Sequence, residues 1–223
     1  MNFLNNIPPI TKNLLFINVI MFLLQLTFPW VNENLALYFF KSPDFEPYQL
    51  LAHMFMHWDF QHLFFNMFAL YMFGSAIEQR MGEKKFLIYY LFTGFGAVAL
   101  HYLSQYIESY EFIQQVENYG SVNQLSKSEI AQLFKQGFGR TVGASGAVFG
   151  LLAAFALLYP NQELMLLFLP VPIKAKYFVL GYAAIELFSG ISGAQDGIAH
   201  FAHLGGALFG FLLIKQWQKQ GGL

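Results

Sequence analysis

Six apolar runs separated by polar breaks organise the chain, at about residues 13–30, 50–77, 86–107, 144–159, 175–188 and 198–217. A helix that crosses a bilayer needs about 20 mostly apolar residues, so these runs predict transmembrane helices. The first ends at Pro29-Trp30, and a polar loop (32–47) follows, where Pro43 and Pro47 argue against helix. The second run is polar in its first half, with His53, His57, Asp59, Gln61, His62 and Asn66. A long polar stretch, 108–141, divides the third run from the fourth. Within it, Ser126-Lys127-Ser128-Glu129 has the spacing of a capping box, Ile130, Leu133 and Phe134 form one apolar face, and Gly137 is a stop. This predicts a short extramembrane helix lying on the protein or the lipid surface. No internal repeat is visible.

Composition sharpens this picture. Hydrophobic residues make up 56% of the 223 and charged residues only 11%, against about 25% charged in soluble domains. An integral membrane protein is expected. The net charge of −1 gives no case for nucleic acid. The absence of cysteine removes disulfides, zinc-finger spacings and a thiol nucleophile. Only Lys12 precedes the first run and no small-x-small cleavage site follows it, so that run reads as a retained anchor. With a cytoplasmic N-terminus, eight basic residues fall on the cytoplasmic side (Lys12, Arg80, Lys84, Lys85, Lys174, Lys176, Lys215, Lys219) and four outside (Lys41, Lys127, Lys135, Arg140). This bias favours that orientation, with the C-terminus cytoplasmic too. Runs two, four and six then all descend from the outer face, and His62, Asn66, Ser145 and His203 all fall toward the outer half of the membrane.

Those four residues carry the candidate chemistry. Ser145 lies in Gly143-Ala144-Ser145-Gly146 at the mouth of the fourth helix, with open space and backbone N–H groups around it, as a serine nucleophile requires. It needs a base, and His203 lies just inside the sixth run. Gly146/Gly150 and Gly206/Gly210 are small-xxx-small pairs that let two membrane helices meet backbone to backbone. Helix packing alone would explain these glycines but not the polar residues beside them. His62 and Asn66, four apart, share one helix face and are candidate oxyanion donors, together with the Ser145 N–H. For Asn66 the competing role is an interhelical hydrogen bond.

No carboxylate stands out as a third member. Asp59 and Asp196 are near loops, and Glu186, in the fifth run, is expected to bond a neighbouring helix or loop near the outer surface. A Ser-His dyad is the expectation. The spacings His53/His57 and His200/His203 invite a metal, but neither His-Glu-x-x-His nor a cysteine ligand is present. His53 and His57 read as braces at the start of the second run, and His101 as structural. His200 is the rival base but lacks the glycine register behind His203. Glu78, Arg80 and Gly82 read as a turn clamp. Hydrolysis at depth also requires a wet cavity, and the polar first half of run two would suit its wall.

In His62-Leu63-Phe64-Phe65-Asn66 (H-x-x-x-N), Gly143-Ala144-Ser145-Gly146 (G-x-S-G), Ala202-His203-Leu204-Gly205-Gly206 with Gly210 (A-H-x-x-G-x-x-x-G) and Glu78 to Gly82 (E-x-x-x-G), the chain resembles the rhomboid family of intramembrane serine proteases. The match covers about residues 13–213. The resemblance implies an all-α, six-transmembrane-helix bundle forming a single membrane domain over 1–223, and from it a bacterial inner membrane is expected. It implies Ser145 as nucleophile and His203 as general base. His62, Asn66 and the Ser145 N–H would form the oxyanion hole, with Gly143 among the oxyanion and substrate-binding positions. Substrates would be single-pass transmembrane proteins, cut in or near the bilayer after a small residue, with no metal, nucleotide or other cofactor. The loop 31–48 would be a lateral membrane-inserted element, although Tyr48-Gln49 stands where many members have Trp-Arg. The fifth helix and the loop 190–197 would gate and cap the site. Two other classes are weighed: an inactive rhomboid-like protein that binds membrane clients, which loss of Ser145 or His203 would have suggested, and a transporter, which would show repeated halves or broken helices.

Overall fold

The computed structural model of the chain describes residues 6–122, 124–166, 169–193 and 198–222. Helix α1 (Pro9–Thr27) has no side-chain cap of its own. Its first N–H groups are satisfied from elsewhere: Ile10 N donates to Glu78 Oε1 at 2.9 Å, while Thr11 N and Thr11 Oγ1 both donate to Glu78 Oε2 at 2.7 Å. A buried carboxylate at a helix N-terminus also suits the positive end of the helix dipole. Pro29-Trp30 does not end this helix but begins the short α2 (Pro29–Asn34). Proline fits a first helical position, where its missing N–H is not needed.

The second run departs further from expectation. Instead of one helix from Leu50, the chain forms α3 (Gln49–Ala52), a 3₁₀ turn over His53–Phe55, a break, then α4 (Phe60–Ala69), a π-helical turn over Leu70–Gly74 and α5 (Ser75–Met81). Asp59 sets the true start: its carboxylate caps the helix by accepting from the His62 N–H at 2.7 Å. Gly82, at φ +79°, ends it. From Phe60 to Met81 the rod is about 33 Å long at 1.5 Å per residue, close to a bilayer core.

Helix α6 (Glu83–Glu108) matches the third run. The stretch 108–141 is not a loop with one helix but two helices, α7 (Tyr110–Val122) and α8 (Lys127–Phe138). The Ser126/Glu129 capping box opens α8, which runs past Gly137 and ends before Gly139. Gly137 serves packing: a Cβ there would strike the Phe112 ring. Phe134 of α8 is buried with Phe39, Ile113 and Val116, so α8 lies on the protein.

Helices α9 (Ser145–Leu158), α10 (Ala175–Ser192) and α11 (His200–Lys219) correspond to the last three runs. Between α9 and α10 a small antiparallel hairpin, β1 (Glu163–Leu166) and β2 (Leu169–Lys174), pairs Leu164 with Ile173. The expected cap, 190–197, lies partly outside the described residues, as does Asp196.

The centre of the bundle is α11, packed between α6 and α9. A Cβ on Gly206 would overlap the carbonyl oxygen of Gly146, and one on Gly205 would sit 2.7 Å from the Gly96 oxygen. One turn on, Gly210 meets Gly150, whose carbonyl accepts from Tyr89 Oη at 2.7 Å. The helices thus touch through backbone, as the glycine spacing predicts.

Polar and apolar residues are distributed as lipid demands. Thr11, Asn18, Gln25, Glu78, Thr93 and Glu186 are buried, while Leu26, Leu180, Phe188 and Ile191 are each at least 68% exposed. Only α1 and α6, among the described helices, are long and apolar enough by themselves to cross a membrane. The second rod is divided by its π turn, and α9 has 14 residues.

Two outcomes are expected. Gly206→Val should force α9 and α11 apart and destabilise the fold by about 1–3 kcal/mol or more, read as a lower unfolding midpoint in detergent. Hydrogen bonds from Ser126 hold the Glu129 carboxyl below its ordinary range. Because the folded value is the lower one, its contribution to α8 is complete above that range and fades as pH falls through the lowered value. Hydrogen exchange of the first-turn amides of α8 should therefore be faster in Glu129→Ala at neutral pH, and the difference should close in acid.

Candidate active site

Ser145 is the first residue of α9, so its N–H belongs to the first turn, where N–H groups lack intrahelical acceptors. The local turn is built by Gly143. It has φ +133°, a conformation that residues with a Cβ rarely adopt, and its N–H donates to the His53 carbonyl at 2.9 Å. A Cβ at this position would lie 2.9 Å from His62 Cε1 and Nε2 and 3.5 Å from Ser145 Oγ. The missing side chain therefore keeps open the space between the serine and the imidazole of His62.

His203, in the first turn of α11, faces this space across the Gly146/Gly206 contact. Its Nε2 is 2.8 Å from Ser145 Oγ. When the serine O–H is the donor, Nε2 is the acceptor and the ring hydrogen sits on Nδ1. The ring is stacked on Phe149, with centroids 4.2 Å apart and planes within 5°. Phe149 is one helical turn beyond Ser145 and packs in turn against Tyr182 of α10 at 4.8 Å. Sequence reasoning passed over Phe149, although its i+4 spacing from Ser145 puts it on the serine's face of α9.

His62 and Asn66 come from α4 and border the same cavity as Ser145, Gly143 and His203. Trp58 N donates to His62 Nδ1 at 3.4 Å, a long contact that leaves Nε2 as the ring's N–H. That nitrogen is the one beside Gly143. The Asn66 amide donates to the His62 carbonyl at 2.9 Å and keeps a second N–H. The five residues singled out from the sequence, from three separate runs, therefore meet in one place.

The cavity measures ≈ 1130 Å³, and His53, Asp59, Gln61, His101 and Arg140 add polar surface to its wall. Of the residues expected to line it, His57 does not: it is buried behind His62, with ring centroids 5.0 Å apart. His101 bonds Thr141 Oγ1 at 3.1 Å through Nε2. No cluster of potential metal ligands occurs among the described residues.

His200 points away from Ser145 toward α10, where its Nδ1 is 2.6 Å from Glu186 Oε2. Glu186 thus bonds a neighbouring helix, as anticipated. The same oxygen also lies 3.1 Å from His203 Nδ1, a proximity between distant runs that no spacing along the chain discloses.

Comparison with known proteins agrees with the motifs. The profile of the Rhomboid domain matches residues 44–217. Rhomboid protein 1, mitochondrial, of Saccharomyces cerevisiae is 30% identical over 96% of this chain and 59% of its own length. Rhomboid protease AarA of Providencia stuartii is 29% identical over 72% of this chain and 52% of its own. The human presenilin-associated rhomboid-like protein, mitochondrial, is 26% identical over 88% and 45%. The chain spans about half the length of the curated relatives it matches. A helical membrane protein with a cavity between packed helices, its wall carrying both polar and apolar side chains, is the class that fold and partition define. This chain belongs to the rhomboid family.

Filling the gap at Gly143 tests the site directly. Gly143→Ala should slow fluorophosphonate labelling of Ser145 by about tenfold or more, the scale of ~1–3 kcal/mol of backbone strain. An unchanged labelling rate in the folded variant would show that this opening is not used.

Proposed function

We propose that the chain is an intramembrane serine endopeptidase that cuts single-pass transmembrane proteins in or near the bilayer. The observation that carries this reading is the 2.8 Å contact between His203 Nε2 and Ser145 Oγ on the wall of a cavity that also bears His53, Asp59, Gln61 and His62. Ser145 Oγ attacks the scissile carbonyl carbon as His203 Nε2 takes its proton. The resulting oxyanion is received by the Ser145 N–H, His62 Nε2–H and the remaining N–H of Asn66, each a fixed donor in a space of low dielectric. His203 then returns the proton to the leaving amine, the C–N bond breaks, and an acyl-enzyme remains. Water enters from the cavity, gives its proton to His203 and releases the acid, restoring Ser145.

Several further features belong to the same proposal. The rods α1, α4–α5, α6, α9, α10 and α11 are six spans of a single membrane domain. Residues 31–48 form the lateral element beside the site, α10 is the gate, and the scissile bond follows a small residue. Glu78 ties the start of α1 to α5, and Lys85 Nζ donates to the Gly222 carbonyl at 2.5 Å, so the start of α1 and the segment after α11 lie at the end of the bundle away from Ser145. Lys12, Arg80, Lys84 and Lys85 cluster there, which supports cytoplasmic termini and a site open to the opposite side. The relatives are named as mitochondrial, chloroplastic or from a bacterium, so the proposal is kept to this orientation rather than to a bacterial inner membrane.

In proteoliposomes holding a reporter transmembrane substrate, Ser145→Ala and His203→Ala should abolish cleavage, whereas His200→Ala should retain measurable activity. Full cleavage by Ser145→Ala would refute the reading, and equal loss from the two histidine variants would remove His203 from its role. Asn66→Ala should raise the barrier by ~1–3 kcal/mol, less than loss of a sole oxyanion donor. A wild-type rate would return Asn66 to helix packing.

A further inference from the structure

Among the described residues Glu186 is the buried carboxylate beside the proposed base, and nothing in the dyad mechanism uses it. It is 4% exposed, and its ion-pair partners among the described residues are two imidazoles: Oε2 is 2.6 Å from His200 Nδ1 and 3.1 Å from His203 Nδ1. His203 Nε2 is committed to Ser145, so Nδ1 carries the ring hydrogen and faces this carboxylate. That nitrogen is buried and has no aligned hydrogen-bond partner among the described residues. A buried N–H beside a carboxylate oxygen at 3.1 Å is poised to close into a charge-assisted bond once the ring gains a second proton.

We propose that Glu186 is a positioning residue for His203, holding its Nδ1–H tautomer and balancing the imidazolium that forms as Ser145 loses its proton. The inference rests on the reading of Ser145 and His203 as nucleophile and base. Sharing one oxygen between two histidines has a consequence. In the resting state the shorter contact goes to His200, and charge on His203 draws the carboxylate toward the base. Helix α10 then does more than border the cavity. It brings Glu186 to one edge of the His203 ring and Tyr182, one turn earlier, against the Phe149 ring on which His203 stacks. Movement of α10 away from α11 would remove the counter-charge and loosen the ring together.

Among the described residues few titratable groups face His203, which makes the effect readable. From α10 it sees Glu186, from its own helix His200 through that shared carboxylate, from α4 His62 and from α6 His101. The α9 groups against it, Ser145 and Phe149, carry no charge. Among the described residues Glu186 is therefore the negative charge that stabilises the imidazolium, and its removal should leave that imidazolium without a counter-charge.

The test is the pH profile of substrate cleavage in proteoliposomes for Glu186→Gln, Glu186→Asp and Ser145→Ala beside the native protein. Glu186→Gln should lower kcat by about 10–100-fold, less than the ~10⁴ seen when a triad carboxylate is neutralised, because here the contact is shared. KM should stay within about twofold, and the acid limb of kcat/KM should move to lower pH. Glu186→Asp should recover part of both effects, and it supplies the profile if Glu186→Gln is too slow to titrate. An unchanged kcat and acid limb in Glu186→Gln, or a loss with an unmoved acid limb and no recovery by Asp, would overturn the inference and leave Glu186 as an anchor for His200. Native cleavage by Ser145→Ala would instead refute the protease reading itself, whatever Glu186 does.

Discussion

The contact on which the rest depends is the meeting of α9 and α11 through Gly146 and Gly206, where a Cβ on Gly206 would overlap the Gly146 carbonyl and one on Gly146 would strike Ala97 of α6. Helices in lipid gain little from burying apolar surface against one another, so close approach must come from dispersion and backbone contact. Here the same approach sets the chemistry. Ser145 immediately precedes Gly146 and His203 lies one turn before Gly206, so closing the glycine interface carries the hydroxyl and the imidazole into hydrogen-bond range. Tyr89 reinforces the seam by donating to the Gly150 carbonyl one turn below. Fold and site are in this sense one interaction.

A second constraint is water. Polar groups survive at depth only against protein or in a wet cavity, and this chain concentrates them on one side of the seam. The wall comes from the irregular segment before α4, where Asp59 holds the helix start back to Phe60 and leaves His53 on a 3₁₀ turn and Trp58 on non-helical backbone. Gly143, bonded to the His53 carbonyl, joins that wall to the mouth of α9. The arrangement places a serine on a cavity wall beside N–H donors without breaking the bundle, whose exposed surface is rich in Phe, Leu and Ile.

Much of this was legible in the residue pattern, for identifiable reasons. The six apolar runs are long or strongly biased, and small-xxx-small spacing is a local signal for a long-range contact. The capping box at Ser126 and Glu129 is likewise local, and it opens α8 where it should. What escaped depends on tertiary context. Helix α7 is polar and reads as loop until Ile113 and Val116 find Phe39 and Phe134. The start of α4 was misplaced because an apolar stretch from Leu50 hides the competition won by the Asp59 side chain. Pro29 signals a stop or a start equally well, and only the geometry of α2 distinguishes them. Glu186 was visible as a carboxylate in the fifth run that would bond a neighbouring helix or loop, but its contact with His203 links helices whose relative rotation no periodicity reports.

The central claim is that one hydroxyl, Ser145 Oγ, becomes a nucleophile because His203 sits against it. Intact-mass and peptide mapping of the native protein after reaction with a fluorophosphonate measures this most directly. A single phosphonyl adduct on Ser145, absent from His203→Ala under the same conditions, is the predicted result. An adduct on another residue, or equal labelling of Ser145 with and without the imidazole, would contradict it.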